Sequence, residues 1–176
     1  MSATLGRRVV AEALGTALLL AIVVGSGIMG ERLAGGNVAL ALLANALATG
    51  AGLVALILTF GPISGAHLNP AVTMADAALG GLRWREVPAY VGAQVLGALA
   101  GVAVGDAMFG EPLFSASQRV RAGGGQFLSE FVATFGLLAV IWGWRAGVRR
   151  PCRSRSGRTS RRHTGLPPPP ASQTRR

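Results

Sequence analysis

Four long apolar runs constrain this chain more than any other feature of its sequence. They cover residues 9–29, 38–60, 87–109 and 127–144, and polar residues, glycine or proline lie between them. About 20 apolar residues in a helix cross the ~30 Å hydrocarbon core of a membrane. The first three runs reach that length, and the fourth is the shortest. The sequence therefore predicts an all-α membrane protein with four transmembrane helices.

The positive charge of the chain is concentrated at one end. Of the 176 residues, 51% are apolar and 14% are charged, and the net charge is +10. Residues 1–144 hold seven arginines and seven acids, so the surplus comes from the ten arginines that follow Trp144. That basic tail contains no aromatic residue to stack on bases, and no nucleic-acid partner is expected. A single cysteine excludes an intrachain disulfide and a cysteine-cluster metal site.

Small and aromatic residues in the apolar runs suggest packing roles. Three glycines of the third run are spaced four residues apart, which lets a neighbouring helix approach closely. They are Gly97, Gly101 and Gly105. Four aromatic residues near the ends of the predicted helices are expected to anchor the chain at the membrane interface. They are Trp84, Tyr90, Trp142 and Trp144.

Between the second and third runs, the sequence predicts a helix too short to cross the membrane. Asn69 is a good helix cap and Pro70 a good first residue, because proline lacks an N–H that would be unpaired there. Gly80 and Gly81 end this helix near Leu79, so its length of ~16 Å is about half of a bilayer. We expect this apolar half-helix to be re-entrant.

The stretch 61–68 before the half-helix contains Pro62 and Gly65, so we expect that it is not an uninterrupted helix. Non-helical backbone at membrane depth is tolerated where protein buries it or where it lines a water-filled cavity. Its carbonyl groups would accept hydrogen bonds from a passing solute. The positive end of the half-helix, at Asn69, would repel cations. This arrangement favours the passage of a neutral polar molecule.

The segment Ser-Gly-Ala-His-Leu-Asn-Pro-Ala-Val-Thr at 64–73 resembles the aquaporin family, also called the major intrinsic proteins, which includes glycerol facilitators. The resemblance covers residues 7–144 and implies a pore of two inverted repeats. Each repeat has three spanning helices and one re-entrant half-helix, whose dipole excludes cations. The residues that the resemblance places at the pore or its filter are Ser64, Gly65, Ala66, His67, Asn69, Pro70, Ala71 and, twenty positions before Asn69, Thr49.

The same resemblance implies buried polar residues that support the pore. Glu12 would hydrogen-bond the backbone of the re-entrant loop, and Gln94 would be a polar residue of the third helix. Taken alone, Glu12 is either a structural acceptor or a proton-relay group, and the absence of a second acid or histidine in its span favours the acceptor. His67 has no histidine, cysteine or acid at ligand spacing, so we expect no metal site.

An internal repeat supports the inverted-repeat architecture. Residues 11–20 resemble residues 129–138, with Glu12 matching Glu130 and Thr16 matching Thr134 at one constant offset. The first repeat, about residues 7–109, is thus followed by the start of a second at about 123–144, within a membrane domain of residues 1–144. Glu130 is expected to be a further buried polar residue. At the same offset, a second Asn-Pro-Ala would lie near position 187.

Residues 145–176 are rich in arginine, serine and proline and are expected to be disordered. Their abrupt start inside a repeat favours translation out of frame over a polybasic lipid anchor. In either case the arginines would attract anionic lipid. On this expectation, the 176-residue chain is an incomplete pore. The alternative function is then a non-conducting remnant, or a subunit that needs a second chain.

The favoured function is passive transport of water or a small uncharged solute such as glycerol. No nucleophile, base or metal constellation indicates an enzyme, and no cofactor is expected. The resemblance suggests a homotetramer in the lipid bilayer. The arginine bias of the loops places the N-terminus and the tail in the cytoplasm, with the chain in a plasma membrane, namely a bacterial inner membrane.

Overall fold

The computed structural model describes residues 3–113 and 123–148, where the regular structure is entirely helical. Its five helices are α1 Leu5–Leu33, α2 Val38–Ser64, α3 Pro70–Ala78, α4 Val87–Phe109 and α5 Gly124–Val148. A 3-10 turn, Trp84–Glu86, leads directly into α4. The chain divides into two compact units, Met1–Val140 and Ile141–Arg176, of which the second contributes the last turns of α5 to the described residues.

Three of the described helical segments are long and apolar enough to cross a membrane. They are Leu5–Leu33, Val38–Ser64 and Trp84–Phe109. These segments confirm the first three predicted spans, and α4 has the predicted bounds. In α5 the described apolar part, Phe127–Ile141, is shorter, so a fourth span stays a prediction.

Helix α2 continues beyond the predicted boundary. The second span is predicted to end at Phe60, before Gly61 and Pro62, yet α2 passes through Pro62 and ends at Ser64. Proline has a fixed φ that suits a helix, and its missing N–H removes one bond, a loss that spanning helices accommodate. The helix ends instead at Gly65, whose φ of 95° is a left-handed conformation that glycine adopts without strain. The predicted end of α2 was therefore four residues too early, whereas the expected interruption within 61–68 lies at Gly65.

The half-helix α3 follows the prediction closely. Asn69 caps it, Pro70 is its first residue, and it ends at Ala78, one residue before the predicted end. Nine residues at ~1.5 Å per residue give about 14 Å, less than half of a bilayer. A buried apolar cluster attaches α3 to the start of α4 and consists of Ala77, Leu82, Val87 and Tyr90.

Helices α1 and α4 pack with their backbones in contact. A Cβ atom at Gly97 would overlap the carbonyl oxygen of Ala13, and one at Gly101 would overlap that of Ala17. One turn later, a Cβ at Gly105 would lie 3.0 Å from the side chain of Val24. The glycine stripe therefore serves helix packing, as the sequence predicts. It also brings the polar residues of α1 and α4 within hydrogen-bond distance.

Helix α5 extends into the segment that was predicted to be the tail. Residues 145–148 were assigned to the disordered tail but belong to α5. The apolar run extends far enough that the helix continues one turn past Trp144 before the charge density rises. The expectation of disorder for residues 149–176 falls outside the described residues, as do the side chains of Trp142 and Trp144.

Substitution of the stripe glycines tests the packing of α1 against α4. Gly101→Ala should lower the free energy of unfolding by about 1–3 kcal/mol, because the added methyl group forces the two backbones apart. Gly92→Ala is the matched control, since Gly92 lies on the exposed face of the same helix, where an added methyl group would have no atom within 4 Å. Unfolding in detergent, followed by circular dichroism, measures both. Equal effects of the two substitutions would contradict close packing at Gly101.

Candidate functional site

A short loop of unusual backbone geometry joins α2 to α3. It comprises residues 65–69, and three of its residues have positive φ: Gly65 at 95°, Ala66 at 47° and Leu68 at 50°. For the two non-glycine residues this left-handed conformation costs about 1–3 kcal/mol each, and it persists only where the surroundings impose it. Ala66 and Leu68 are buried in a cluster with Leu56 of α2, which fixes their side chains.

The carboxylate of Glu12 imposes this backbone conformation. Glu12 lies on α1 with 0% of its surface exposed. Its Oε1 accepts hydrogen bonds from the N–H of His67 at 2.9 Å and the hydroxyl of Ser64 at 2.7 Å. Its Oε2 accepts from the N–H of Leu68 at 2.8 Å and from Nε2 of Gln94 at 2.9 Å. The loop contacts that the family resemblance implies for Glu12 are therefore present.

The hydrogen bonds to Glu12 determine where the loop carbonyls point. The N–H groups of His67 and Leu68 reach Glu12, and that of Ala66 reaches the Ser64 hydroxyl at 3.1 Å. The described peptide bonds are all trans. In a trans peptide the C=O points opposite to the N–H of the next residue. The carbonyls of Ala66 and His67 are consequently directed away from the carboxylate, and that of Gly65 is directed away from the Ser64 hydroxyl.

Asn69, Pro70 and Ala71 form the first turn of the half-helix. The side-chain oxygen of Asn69 accepts from the N–H of Ala71 at 2.8 Å, and its backbone oxygen accepts from the N–H of Thr73 at 3.0 Å. Since the side-chain oxygen holds the cap, the amide NH₂ is the donor that Asn69 can offer to a solute. The partial positive charge at this helix end lies beside that donor.

His67 lies in a buried polar group that the sequence did not predict. Its Nδ1 is 3.2 Å from the hydroxyl of Thr73, and its Nε2 is 3.4 Å from Oδ2 of Asp76. The hydroxyl of Thr73 also accepts from Gln94 at 2.9 Å. The sequence has no acid at ligand spacing from His67, but the turn into α3 brings Asp76 to it. Within the described residues, no group of three histidine, cysteine or acidic side chains could hold a metal ion.

A second set of polar contacts connects the starts of α1 and α4 to Ser64, the residue just before the loop. Tyr90, which is 0% exposed, donates from its hydroxyl to the carbonyl of Ser64 at 2.9 Å and accepts from Nε of Arg8 at 2.7 Å. Arg8 also pairs with Glu86 at 3.0 Å. Tyr90 was expected at the membrane interface, and that interpretation is wrong, because its hydroxyl has protein partners inside the fold.

The spacing of residues along α1 and α4 could have predicted this second set of polar contacts. Arg8 precedes Glu12 by four residues on α1, and Tyr90 precedes Gln94 by four residues on α4. Residues four apart share a helix face. A buried Glu12 and a buried Gln94 therefore indicate that Arg8 and Tyr90 face the same interior.

The remaining expected site residues lie at different places. Ser64 is the last residue of α2. Its hydroxyl donates to Glu12 and its carbonyl accepts from Tyr90, so Ser64 supports the loop and is not one of the carbonyl acceptors expected for a solute. Thr49 is half-buried on α2, well before the loop, and donates to Oδ1 of Asn45 at 3.2 Å. Glu130 was expected to be buried, but it is exposed on α5, where no described element covers it.

The sequence is similar to one known protein family and to several of its members. The sequence matches the family described as Major intrinsic protein over residues 1–156. It is 55% identical to the aquaglyceroporin AqpS of Rhizobium meliloti (strain 1021) over 145 residues, which is 82% of this chain and 60% of that protein. It is 44% identical to the probable aquaporin NIP7-1 of Arabidopsis thaliana over 104 residues, or 59% of this chain and 37% of that protein.

A rice protein shows the same partial coverage. Aquaporin NIP3-1 of Oryza sativa subsp. japonica is 36% identical over 148 residues, which is 78% of this chain and 44% of that protein. The chain thus spans between about a third and three fifths of the length of these curated relatives. The region matched by the family, residues 1–156, contains α1 to α4 and the loop held by Glu12.

Replacing the central carboxylate with an amide tests its role in the loop. Glu12→Gln should lower the free energy of unfolding by about 2–6 kcal/mol. Each carboxylate oxygen now accepts two hydrogen bonds, and the new NH₂ group would face two of these donors and leave them unpaired. Thermal unfolding in detergent measures the loss. Glu111→Gln is the matched control, since Glu111 forms an exposed ion pair with Arg32 and should change stability by less than about 1 kcal/mol. A loss for Glu12→Gln as small as the control's would contradict the role of Glu12.

Proposed function

Because this chain belongs to the major intrinsic protein family, a family of membrane channels, we propose that it lines a passive pore for water or a small uncharged solute such as glycerol. The observation that carries this proposal is the orientation of the loop backbone. Glu12 and the Ser64 hydroxyl accept the loop N–H groups, and the carbonyls of Gly65, Ala66 and His67 point away from these acceptors. These carbonyls supply successive acceptors for a solute that has lost part of its hydration.

The half-helix supports a preference for neutral solutes. Its N-terminal end carries a partial positive charge, which disfavours a cation beside Asn69. The Asn69 amide offers a donor at the same place, so a hydroxyl group or a water molecule can exchange hydrogen bonds with the donor and with the loop carbonyls. The pore residues of the proposal are accordingly Gly65, Ala66, His67, Asn69, Pro70, Ala71 and, on α2, Thr49.

Thr49 bears on the size of the solute. The family resemblance places this position in the narrow filter, where an aromatic residue is common. A threonine there leaves a wider constriction and adds a hydroxyl group. The relative AqpS is named an aquaglyceroporin, and this name agrees with a solute larger than water. We therefore include glycerol-sized molecules among the proposed solutes.

The proposed setting is a bacterial inner membrane, with the N-terminus and the residues after α5 in the cytoplasm. Arg7 and Arg8 precede or begin the first span, and Arg83 and Arg85 lie between α3 and α4, on the side that the positive-inside rule assigns to the cytoplasm. By family resemblance, the assembled state is a homotetramer. Native mass spectrometry of the purified protein tests this assembly.

Proteoliposomes test the proposed transport directly. Their permeability to water and glycerol, measured by stopped-flow light scattering, should exceed that of vesicles without protein. Permeability equal to that of protein-free vesicles would contradict the proposal and support an incomplete pore that requires a second chain.

Asn69→Asp tests charge selection at the half-helix. The carboxylate can still accept from the N–H of Ala71, so the cap is kept, but its negative charge offsets the positive helix end. Cation leak into proteoliposomes should rise several-fold. Asn37→Asp is the matched control, because Asn37 caps α2 through Leu40 at an exposed helix start. An unchanged leak in Asn69→Asp, or an equal rise in both variants, would place Asn69 away from the solute.

Thr49→Trp tests the proposed filter. The larger side chain should reduce glycerol permeability several-fold more than water permeability, because it narrows the constriction below the width of the larger solute. Leu47→Trp adds the same side chain at a position of α2 that is 66% exposed and should leave the ratio of the two permeabilities unchanged. Equal reduction of both permeabilities by Thr49→Trp would remove Thr49 from the filter.

A further inference from the structure

An open cleft lies where α1 begins and where the 3-10 turn leads into α4. It has a volume of about 590 Å³ and is lined by Leu5, Arg83, Trp84, Arg85 and Glu86. Ligand pockets in proteins commonly measure ~300–1,000 Å³, so the cleft is large enough for a small organic group. It is separate from the loop held by Glu12 and plays no part in the proposed transport.

The charge of this cleft is positive. Its single carboxylate, Glu86, has a side chain that is only 7% exposed, and both of its oxygens are occupied. Oε2 accepts from Arg8 at 3.0 Å, and Oε1 accepts from Nε of Arg83 at 3.0 Å. Arg83 is nevertheless 84% exposed, so part of its guanidinium faces the cleft opening. The guanidinium groups of Arg8 and Arg83 therefore neutralise Glu86, and the exposed Arg85, which also lines the cleft, adds a further positive charge.

The cleft also has an apolar wall at the depth of the membrane interface. Trp84 is 60% exposed and Leu5 is 41% exposed, and each lies at the first turn of a membrane-spanning segment. Tryptophan prefers the headgroup level of a bilayer, where its ring contacts acyl chains and its N–H can donate. Cationic groups beside an apolar wall at this depth match a molecule with an anionic head and an apolar body.

We propose that this cleft binds the headgroup of an anionic phospholipid. The phosphate would lie against Arg85, whose guanidinium can bind two phosphate oxygens at once, and against the exposed end of Arg83, whose Nε and Nη2 already donate to Glu86. The first acyl carbons would lie along Trp84 and Leu5. A water-soluble acidic partner has the charge for the cleft but leaves its apolar wall exposed, so the lipid fits both surfaces.

Fluorescence quenching of Trp84 tests the proposal. Trp142→Phe and Trp144→Phe leave Trp84 as the only tryptophan of the chain. Two sets of proteoliposomes would have the same small proportion of phosphatidylglycerol in phosphatidylcholine. In one set the phosphatidylglycerol carries bromine on its acyl chains, and in the other an equal amount of the phosphatidylcholine carries it. Brominated phosphatidylglycerol should quench Trp84 about fivefold more efficiently, since each arginine near an anionic surface contributes about that factor.

Variants locate the effect at the cleft. Arg83→Gln with Arg85→Gln should abolish the preference for phosphatidylglycerol, whereas Arg32→Gln, at an exposed ion pair elsewhere in the chain, should retain it. Arg85→Gln alone leaves both ion pairs of Glu86 in place and should reduce the preference without disturbing the fold. The ten arginines after Trp144 are the same in all variants and cannot account for a difference between them. Equal quenching in the two lipid arms would overturn the proposal and leave the cleft to a soluble acidic partner.

Discussion

The structure depends on one buried carboxylate and the four donors that surround it. Glu12 accepts from two loop N–H groups, from the hydroxyl of Ser64 and from the amide of Gln94, all at 2.7–2.9 Å. A charge at membrane depth is expensive unless it is fully hydrogen-bonded, and these donors provide that compensation. In return, the carboxylate holds Ala66 and Leu68 in a left-handed conformation that neither residue prefers.

Close helix packing makes this arrangement possible. Glycines of α4 lie against the backbone of α1, so Gln94 reaches Glu12 and Tyr90 reaches Arg8 across the interface. Gly15 of α1 has a similar role toward the loop, because a Cβ there would lie 2.6 Å from the side chain of Leu68. Small residues therefore determine where the polar residues can meet. The site and the packing of the helices cannot be separated.

The sequence predicts those parts of the fold that depend on local chemistry. Apolar length identifies the spans, and Asn69 with Pro70 identifies the start of α3. Errors occur where distant residues decide the outcome. Pro62 remains helical because α2 is stabilised as a long span, and Asp76 meets His67 because the loop folds back. Family resemblance correctly implied the contacts of Glu12, whereas Tyr90 had no motif of its own and was assigned to the membrane surface.

The sequence separation of the Glu12 contacts has a consequence for biogenesis. Ser64, Leu68 and Gln94 lie 52, 56 and 82 residues after Glu12. When α1 has emerged from the ribosome, none of these donors has yet emerged. The first span therefore meets the bilayer with an uncompensated carboxylate, which is unfavourable at membrane depth. Glu12 gains its fourth donor only when the third span brings Gln94 to it, so the polar interior of this half of the fold is complete only after α4 has arrived.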